Sequence, residues 1–254
     1  GIADLRNNDL SLITMIAGAV VNTIADFCDR AQGALSGDMT YVTASWKMTE
    51  HLQHDRKVVV IMFTLSNYLK NAPETTYVKP YRPAISKTHT EAARLCSVAL
   101  EPALTIIDNT AHAAVLQPLG KALQRKLGSV IARIHAGVYS RVDSEEEVSA
   151  SFVQNEIAPV LETISSGFLD RFPAPYAARL ATGIAESAIL HFVSTATYFR
   201  PVSESARLHM TQDLADLEMA LSQLMSNVSG SSLPAKPYAE LRAVRQMLYW
   251  TGLD

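Results

Sequence analysis

The stretch MTQDLADLEMALSQLMSNV, residues 210–228, decides the fold. Its apolar residues alternate steps of four and three, at Met210, Leu214, Leu217, Leu221, Leu224 and Val228. An α-helix has about 3.6 residues per turn, so these side chains share one face. The spacing predicts a helix that packs in an antiparallel bundle or a coiled-coil contact.

The other long segments show the same period, so the sequence predicts an all-α chain. The run 57–63 is rich in β-branched residues, but its flanks are helical and no second strand is available to pair with it. The wide apolar arc over 176–199 predicts the central helix of its bundle. The remaining predicted stripes are Ile13, Ile16, Val20, Ile24 and Phe27; Val58, Met62, Leu65 and Leu69; and Val153, Ile157, Val160, Ile164 and Phe168.

Capping and breaking residues predict the boundaries of these helices. The first helix is expected over 9–32, and the second over 43–70, where Asn71, Ala72 and Pro73 would stop it. Thr88 with Glu91 has the spacing of a capping box, as has Ser144 with Glu147. A kink or hinge near 108–120 would separate sub-bundles 1–107 and 121–254. Further breaks are expected at 172–175, at Pro201 with Ser203, and over 229–237 before a last helix at 238–250.

Composition limits the classes of function. The 254 residues are 48% apolar and carry a formal charge of -3, from 22 basic and 25 acidic residues spread along the chain. This balance is typical of a folded globular chain and disfavours nucleic acid as a partner. The two cysteines, Cys28 and Cys96, are expected to be buried free thiols rather than a disulfide.

The most apolar window, 12–25, is interrupted by Asn22 and Thr23 and followed by Asp26. A helix needs about 20 apolar residues to cross a bilayer, so we expect a buried helix face and no transmembrane segment. The chain opens on Gly1 without the pattern of a signal peptide, and we expect it to be a piece of a larger protein.

A metal site would need a set of converging ligands. His51, His54 and Asp55 come closest, because two histidines three residues apart on a helix can share an ion. A zinc-protease helix instead spaces its histidines by four, with a glutamate after the first, where Leu52 stands here. The polar side of a surface helix is the simpler explanation of this group.

No other group of residues predicts catalysis. The histidines at 89, 112, 135, 191 and 209 are isolated, and Glu145, Glu146 and Glu147 point around a helix rather than toward one ion. Neither a nucleophile elbow nor a cysteine motif is present. We therefore expect no catalytic residues, no metal site and no cofactor.

Two segments near the end of the chain carry a resemblance to a known family. Residues 200–218 read RPVSESARLHMTQDLADLE, and residues 238–249 read YAELRAVRQMLY after a loop. Their order and spacing resemble the C-terminal pattern of the fifth subunit of the conserved oligomeric Golgi complex. Ala206 and Arg207 replace the usual Gly-Lys, Gln246 replaces a proline and Tyr249 a phenylalanine. The matching residues, called the family-pattern residues below, are Arg200, Pro201, Glu204, Asp213, Glu218, Leu241, Arg242 and Arg245.

The resemblance implies a non-enzymatic scaffold in a vesicle-tethering complex of intra-Golgi retrograde transport. It implies an elongated rod of stacked antiparallel helical bundles, of which 1–254 would be one fragment. Expected partners are other subunits of the complex, subunit 7 among them, with SNARE, Rab and coat proteins met through the complex. The expected location is the cytosol and the cytoplasmic face of Golgi membranes. The family-pattern residues would make structural or partner contacts.

Three alternatives stay open at this point, the first of which is a lipid-binding helical bundle, although the balanced charge does not favour it. The chain could come from another tethering complex of the exocyst type, because the helical pattern would be the same. It could also be an all-helical metal-dependent hydrolase that uses His51, His54 and Asp55.

Overall fold

The structure is a computed structural model, and it describes residues 7–35, 39, 46–79, 87–136, 151–198, 204–229 and 233–248. Their regular secondary structure is entirely helical, which confirms the all-α prediction. The run 57–63 lies inside a helix, as predicted. The chain divides into two compact units, one from 1–37 and 50–117 and the other from 38–49 and 118–254.

The first unit is built on helices α1 (Asn7–Ala34), α2 (Glu50–Tyr77) and α3 (Lys87–Ala111), with α1 and α2 each packed against α3. On α1 the buried residues are Ile13, Ala17, Ile24 and Cys28. The predicted stripe was therefore partly wrong, because Ile16 and Phe27 are 54% and 37% exposed. Among the described elements only α3 packs extensively on α1, and one neighbour buries only a narrow stripe.

Helix α2 differs from its predicted limits at both ends. Residues 46–49 are not helical, so α2 begins at Glu50, and it continues through Pro73 to Tyr77. Pro73 is itself buried, and the packing of its ring offsets the backbone hydrogen bond that a proline cannot donate. The buried face has steps of three and four, at Leu52, Asp55, Val59, Met62, Ser66, Leu69 and Pro73, while Val58 and Leu65 are half-buried.

The chain is helical without interruption from Lys87 to Ala136, so it does not break near 108–120, while the predicted kink or hinge there stays a prediction. A π-helical turn, His112–Leu116, occupies that place and leads into α4 (Gln117–Ile131) and a 3-10 turn, Ala132–Ala136. A π turn holds an extra residue, which is a recognised cause of helix kinks. The two units are divided after Gln117, within the predicted interval, and a hinge there stays a prediction.

In the second unit, a π turn (Val153–Ile157) precedes α5 (Ala158–Gly167), and a 3-10 turn (Leu169–Arg171) follows it. Phe172 is extended, and α6 (Ala174–Thr197) begins after Pro173, which confirms the predicted break. The stripe predicted before that break is buried apart from the half-buried Val160.

Helix α6 packs against both α7 (Glu204–Ser229) and α8 (Ala235–Leu248) and buries a wide arc, as predicted for the central helix. It also lies close to α4, since a Cβ atom added at Gly128 would lie 3.2 Å from the His191 ring. The apolar face of α7 is confirmed from Met210 to Leu224, each at most 3% exposed.

Helix α8 begins three residues before its predicted start, because Pro237 fits the first turn of a helix and is buried there.

At the start of α3, the Glu91 carboxylate accepts hydrogen bonds from Arg94, so Glu91 pairs with a residue of the same helix. The predicted capping box at Ser144 and Glu147, the three glutamates 145–147, and the predicted cap at Ser203 lie outside the described residues.

The structure corrects the expectation that the apolar segment of α1 is too short to cross a membrane. Ser11–Ala34 is 24 residues long with a mean hydropathy of 1.6, so by length and composition it could cross a bilayer. The prediction that this segment is too short was therefore wrong. The expectation of a buried face holds for the side of α1 on α3, where the Cys28 thiol also contacts the Thr110 hydroxyl.

Candidate functional site

Asp213 on α7 holds the start of the helical segment that leads into α5. Its carboxylate is 2% exposed; Oδ1 accepts a hydrogen bond of 2.5 Å from the Ser151 hydroxyl and one of 3.4 Å from the Val153 N–H. Ser151 Oγ in turn accepts from the Gln154 N–H at 3.4 Å. The first N–H groups of a helix have no partner inside the helix, and a carboxylate there also suits the helix dipole. Asp213 thus links α7 to a helix about 60 residues earlier in the chain.

Glu218 on α7 connects to α8 through both of its carboxylate oxygens. Oε1 accepts a hydrogen bond from the Tyr238 hydroxyl at 2.5 Å, and Oε2 accepts one from Arg245 Nη2 at 2.9 Å. The guanidinium of Arg242 lies 5.8 Å from the centre of the Tyr238 ring, within the range of a cation–π contact. The hydrogen bond to the Glu218 carboxylate favours the neutral phenol and raises the pKa of Tyr238.

The structure therefore brings three of the family-pattern residues together where α7 meets α8. Glu218, Arg242 and Arg245 surround Tyr238, and Leu241 is 1% exposed. Asp213 acts separately, at the start of the segment before α5. Glu204 is the first residue of α7, while Arg200 and Pro201 lie outside the described residues.

Sequence reasoning missed Ser151 and Tyr238 as partners in these contacts. Serine is a preferred residue just before a helix, so Ser151 carried a signal for a cap. Tyr238 carried no local signal, because its hydrogen bond depends on how α8 packs on α7.

The candidate metal ligands on α2 do not form a site. His51 is exposed, Asp55 is 1% exposed, and His54 Nδ1 lies 3.4 Å from Asp55 Oδ1. No group of three histidine, cysteine or acidic side chains within the described ranges is placed to hold an ion. The geometry gives no support to the hydrolase alternative.

Both cysteines are free thiols, as predicted; Cys28 is buried as expected, whereas Cys96 is only half-buried. Burial raises the pKa of each thiol, and the contact with Thr110 partly opposes this for Cys28. Because the thiolate is the reactive form, a raised pKa disfavours a nucleophilic role for either cysteine.

The side of α1 turned away from α3 is apolar and exposed. Leu12, Met15, Ile16 and Phe27 are 47%, 66%, 54% and 37% exposed, and no charged residue occurs between Ser11 and Ala25. We call these four residues, with the exposed Ala19 between them, the α1 outer face. The hydroxyl of Thr23 beside this face donates to the Ala19 carbonyl at 2.9 Å, so it adds no unpaired donor. Exposed apolar faces of this kind mark interaction sites.

These features define a class: an all-α protein whose described residues offer helix faces for packing and no cluster of catalytic groups. Two curated relatives match the chain, and both are named conserved oligomeric Golgi complex subunit 5. The Arabidopsis thaliana protein is 27% identical over 196 residues, which cover 72% of this chain and 23% of that protein. The Mus musculus protein is 25% identical over 250 residues, 96% of this chain and 28% of that protein. The chain is thus similar to subunit 5 along most of its length, which confirms the resemblance found in the sequence.

The chain spans about a quarter of the length of these relatives. No family profile matches it. No solved structure matches it either.

Proposed function

We propose that this chain is part of a non-enzymatic scaffold subunit of a vesicle-tethering complex in intra-Golgi retrograde transport. The observation that carries the proposal is the similarity to two subunit 5 proteins over 72% and 96% of the chain. The helical architecture supports it, because long amphipathic helices supply surfaces for other helices.

The α1 outer face is the surface we propose for contacts with a helical protein partner. A partner helix would pack on Leu12, Ile16 and Phe27 and approach closely at the small Ala19. Nothing lies within 4 Å of a Cβ atom built on Gly18, so the neighbouring surface is open as well. The residues of α1 on the opposite side stay packed on α3 and keep the helix in the bundle.

The partners we propose are other subunits of the Golgi complex, with subunit 7 expected, and SNARE, Rab and coat proteins reached through the complex. The proposed location is the cytosol and the cytoplasmic face of Golgi membranes. A stacked helical rod with a hinge near 108–120 would give such a subunit reach. A subunit of another tethering complex remains the alternative, because the helical features would serve it equally.

For the family-pattern residues, we propose a structural role rather than direct partner contact. Asp213, Glu218 and Arg245 make hydrogen bonds inside the second unit, and Leu241 is buried there. Side chains already engaged in this way hold the helices of the second unit together.

Affinity purification of the full-length protein from cells, with partners identified by mass spectrometry, tests the assignment. Recovery of the Golgi-complex subunits supports it, and their loss when residues 1–254 are deleted places an assembly contact in this chain. Recovery of the subunits of another tether would favour the alternative instead.

A paired variant tests the α1 outer face. Met15→Glu with Ile16→Lys places charges on that face without changing the net charge, and we expect loss of the partner subunits. The matched control is Ile61→Lys with Tyr68→Glu, at two α2 residues that are 56% and 70% exposed. Wild-type recovery by the α1 variant would disprove this surface while leaving the family assignment intact.

A further inference from the structure

A groove of about 570 Å³ runs between α5 and α7 in the second unit. Residues near the start of the α5 segment contact Asp213, and later residues of both helices line the groove, so the two helices run in the same direction. The half-buried Ala158 and Ala220 and the buried Leu161 and Leu224 form the apolar part of its lining, and Ser165 and Ser166 add hydroxyl groups.

The polar edges of the groove carry negative charge without a balancing cation. Glu162 and Asp170 line one side, Gln223 and Asn227 line the other, and no lysine, arginine or histidine is among the lining residues. Both carboxylates are exposed, and neither makes an ion pair within the part of the chain that the structure describes. Arg171 follows Asp170 in the chain but does not line the groove.

The C-terminal ends of α5 and α7 add to the negative electrostatic potential of the groove. Because α5 and α7 run in the same direction, both end toward the same end of the groove, and neither has a basic residue in its last turn. The C-terminus of a helix carries a partial negative charge, which attracts cations. Carboxylates and helix ends together favour a positively charged occupant and disfavour anionic lipid headgroups.

We propose that this groove binds a lysine- or arginine-bearing amphipathic helical segment of a partner protein. The segment places small apolar side chains on the apolar part of the lining, one cation at Glu162 and another at Asp170. The part of this side that belongs to α5, from Ala158 to Ser166, spans eight positions or roughly 12 Å of helix, and Gln154 and Asp170 lengthen it at the two ends, so a partner segment of about 16 residues would cover it. This surface is distinct from the α1 outer face, so the inference goes beyond the proposed function and can fail independently of it.

The test uses the 254-residue chain and two synthetic 16-residue amphipathic peptides. One peptide carries four lysines on its polar side, and the other carries glutamates at the same positions. We expect the lysine peptide to bind, with NMR shift changes concentrated on α5 and α7 and with affinity that falls as salt is raised. The glutamate peptide is expected to bind at least tenfold more weakly.

Charge reversal then locates the site. Glu162→Lys with Asp170→Lys is expected to weaken binding of the lysine peptide about tenfold or more, because two attractive contacts become repulsive. Glu101→Lys with Glu186→Lys, at two exposed residues outside the groove, makes the same change in net charge and is the matched control. Equal losses in both variants, equal binding of both peptides, or no binding of the lysine peptide would overturn the proposal. Circular dichroism of each variant verifies that it is folded.

Discussion

Helices α1 and α6 are both rich in apolar residues, yet the structure uses them differently. Helix α6 is enclosed by its neighbours and buries a wide arc that includes Ile184, Ile189 and Phe192. Helix α1 buries one narrow stripe and leaves Met15 and Ile16 more than half exposed. Apolar content alone therefore does not reveal whether a helix stabilises its own bundle or offers a surface, since the number of packed neighbours decides that.

The largest effect is expected from truncating a side chain inside the second unit. Phe192→Ala removes an aromatic ring that is 1% exposed, and we expect the free energy of unfolding to fall by about 3–5 kcal/mol. Ile16→Ala on α1 should change it by less than about 0.5 kcal/mol, because exposed positions contribute little. Urea denaturation measures both, with Leu190→Ala, at a 46% exposed residue of α6, as the matched control.

If Ile16→Ala lowered the free energy of unfolding as much as Phe192→Ala, the contrast between α1 and α6 would be wrong. It would mean that the α1 outer face is packed in the isolated chain.

A smaller loss of unfolding free energy is expected when the buried carboxylate of Asp213 is removed. Asp213→Ala leaves the Val153 N–H and the Ser151 hydroxyl without this acceptor, which should cost about 1–3 kcal/mol of unfolding free energy. Asp213→Asn retains an acceptor oxygen and should cost less. Asp29→Ala, at an exposed aspartate of α1, is the control and should be close to neutral. Equal losses of unfolding free energy in Asp213→Ala and Asp29→Ala would contradict the role of Asp213 as a cap of the α5 segment.

The smallest effect concerns the pH dependence at Tyr238. Its pKa is raised in the folded state, so the folded chain holds this proton more tightly than the unfolded chain. The stabilisation is therefore complete below the ordinary tyrosine pKa of about 10 and is lost as the pH rises through the higher folded value. Glu218→Ala removes both the hydrogen-bond acceptor and the negative charge, so it should lower the pKa of Tyr238.

Ultraviolet titration of tyrosinate measures this shift, and subtracting the curve of Tyr238→Phe isolates the one phenol from the nine tyrosines of the chain. An unchanged Tyr238 curve in Glu218→Ala would show that the hydrogen bond does not set this pKa.

The sequence predicted the wide apolar arc of α6 and the apolar stripe of α7, because local periodicity reveals both. It predicted the buried side of α1 only in part, since Ile13, Ala17 and Ile24 repeat at helix spacing just as Leu12, Ile16 and Ala19 do. The choice depends on contact with α3, which is distant in sequence. The passage of α2 through Pro73 depends on packing in the same way.

For the family-pattern residues, the sequence supplied residue identities but not hydrogen-bond partners. Asp213, Glu218 and Arg245 came from the resemblance, whereas Ser151 lies 62 positions from its acceptor Asp213. The groove between α5 and α7 had no signal in the sequence, because its two sides come from helices that no local pattern brings together.

The two hydrogen-bonded carboxylates of α7 also determine its register. An apolar face that repeats in steps of four and three packs almost equally well after a helix slides by one repeat, so Leu214, Leu217, Leu221 and Leu224 alone select no unique alignment. Asp213 is bonded at the start of the segment before α5, and Glu218 is bonded to α8. Sliding α7 would break both contacts at once and separate the buried Asp213 carboxylate from the Ser151 and Val153 donors. Two polar side chains thus choose one alignment among several of similar hydrophobic energy.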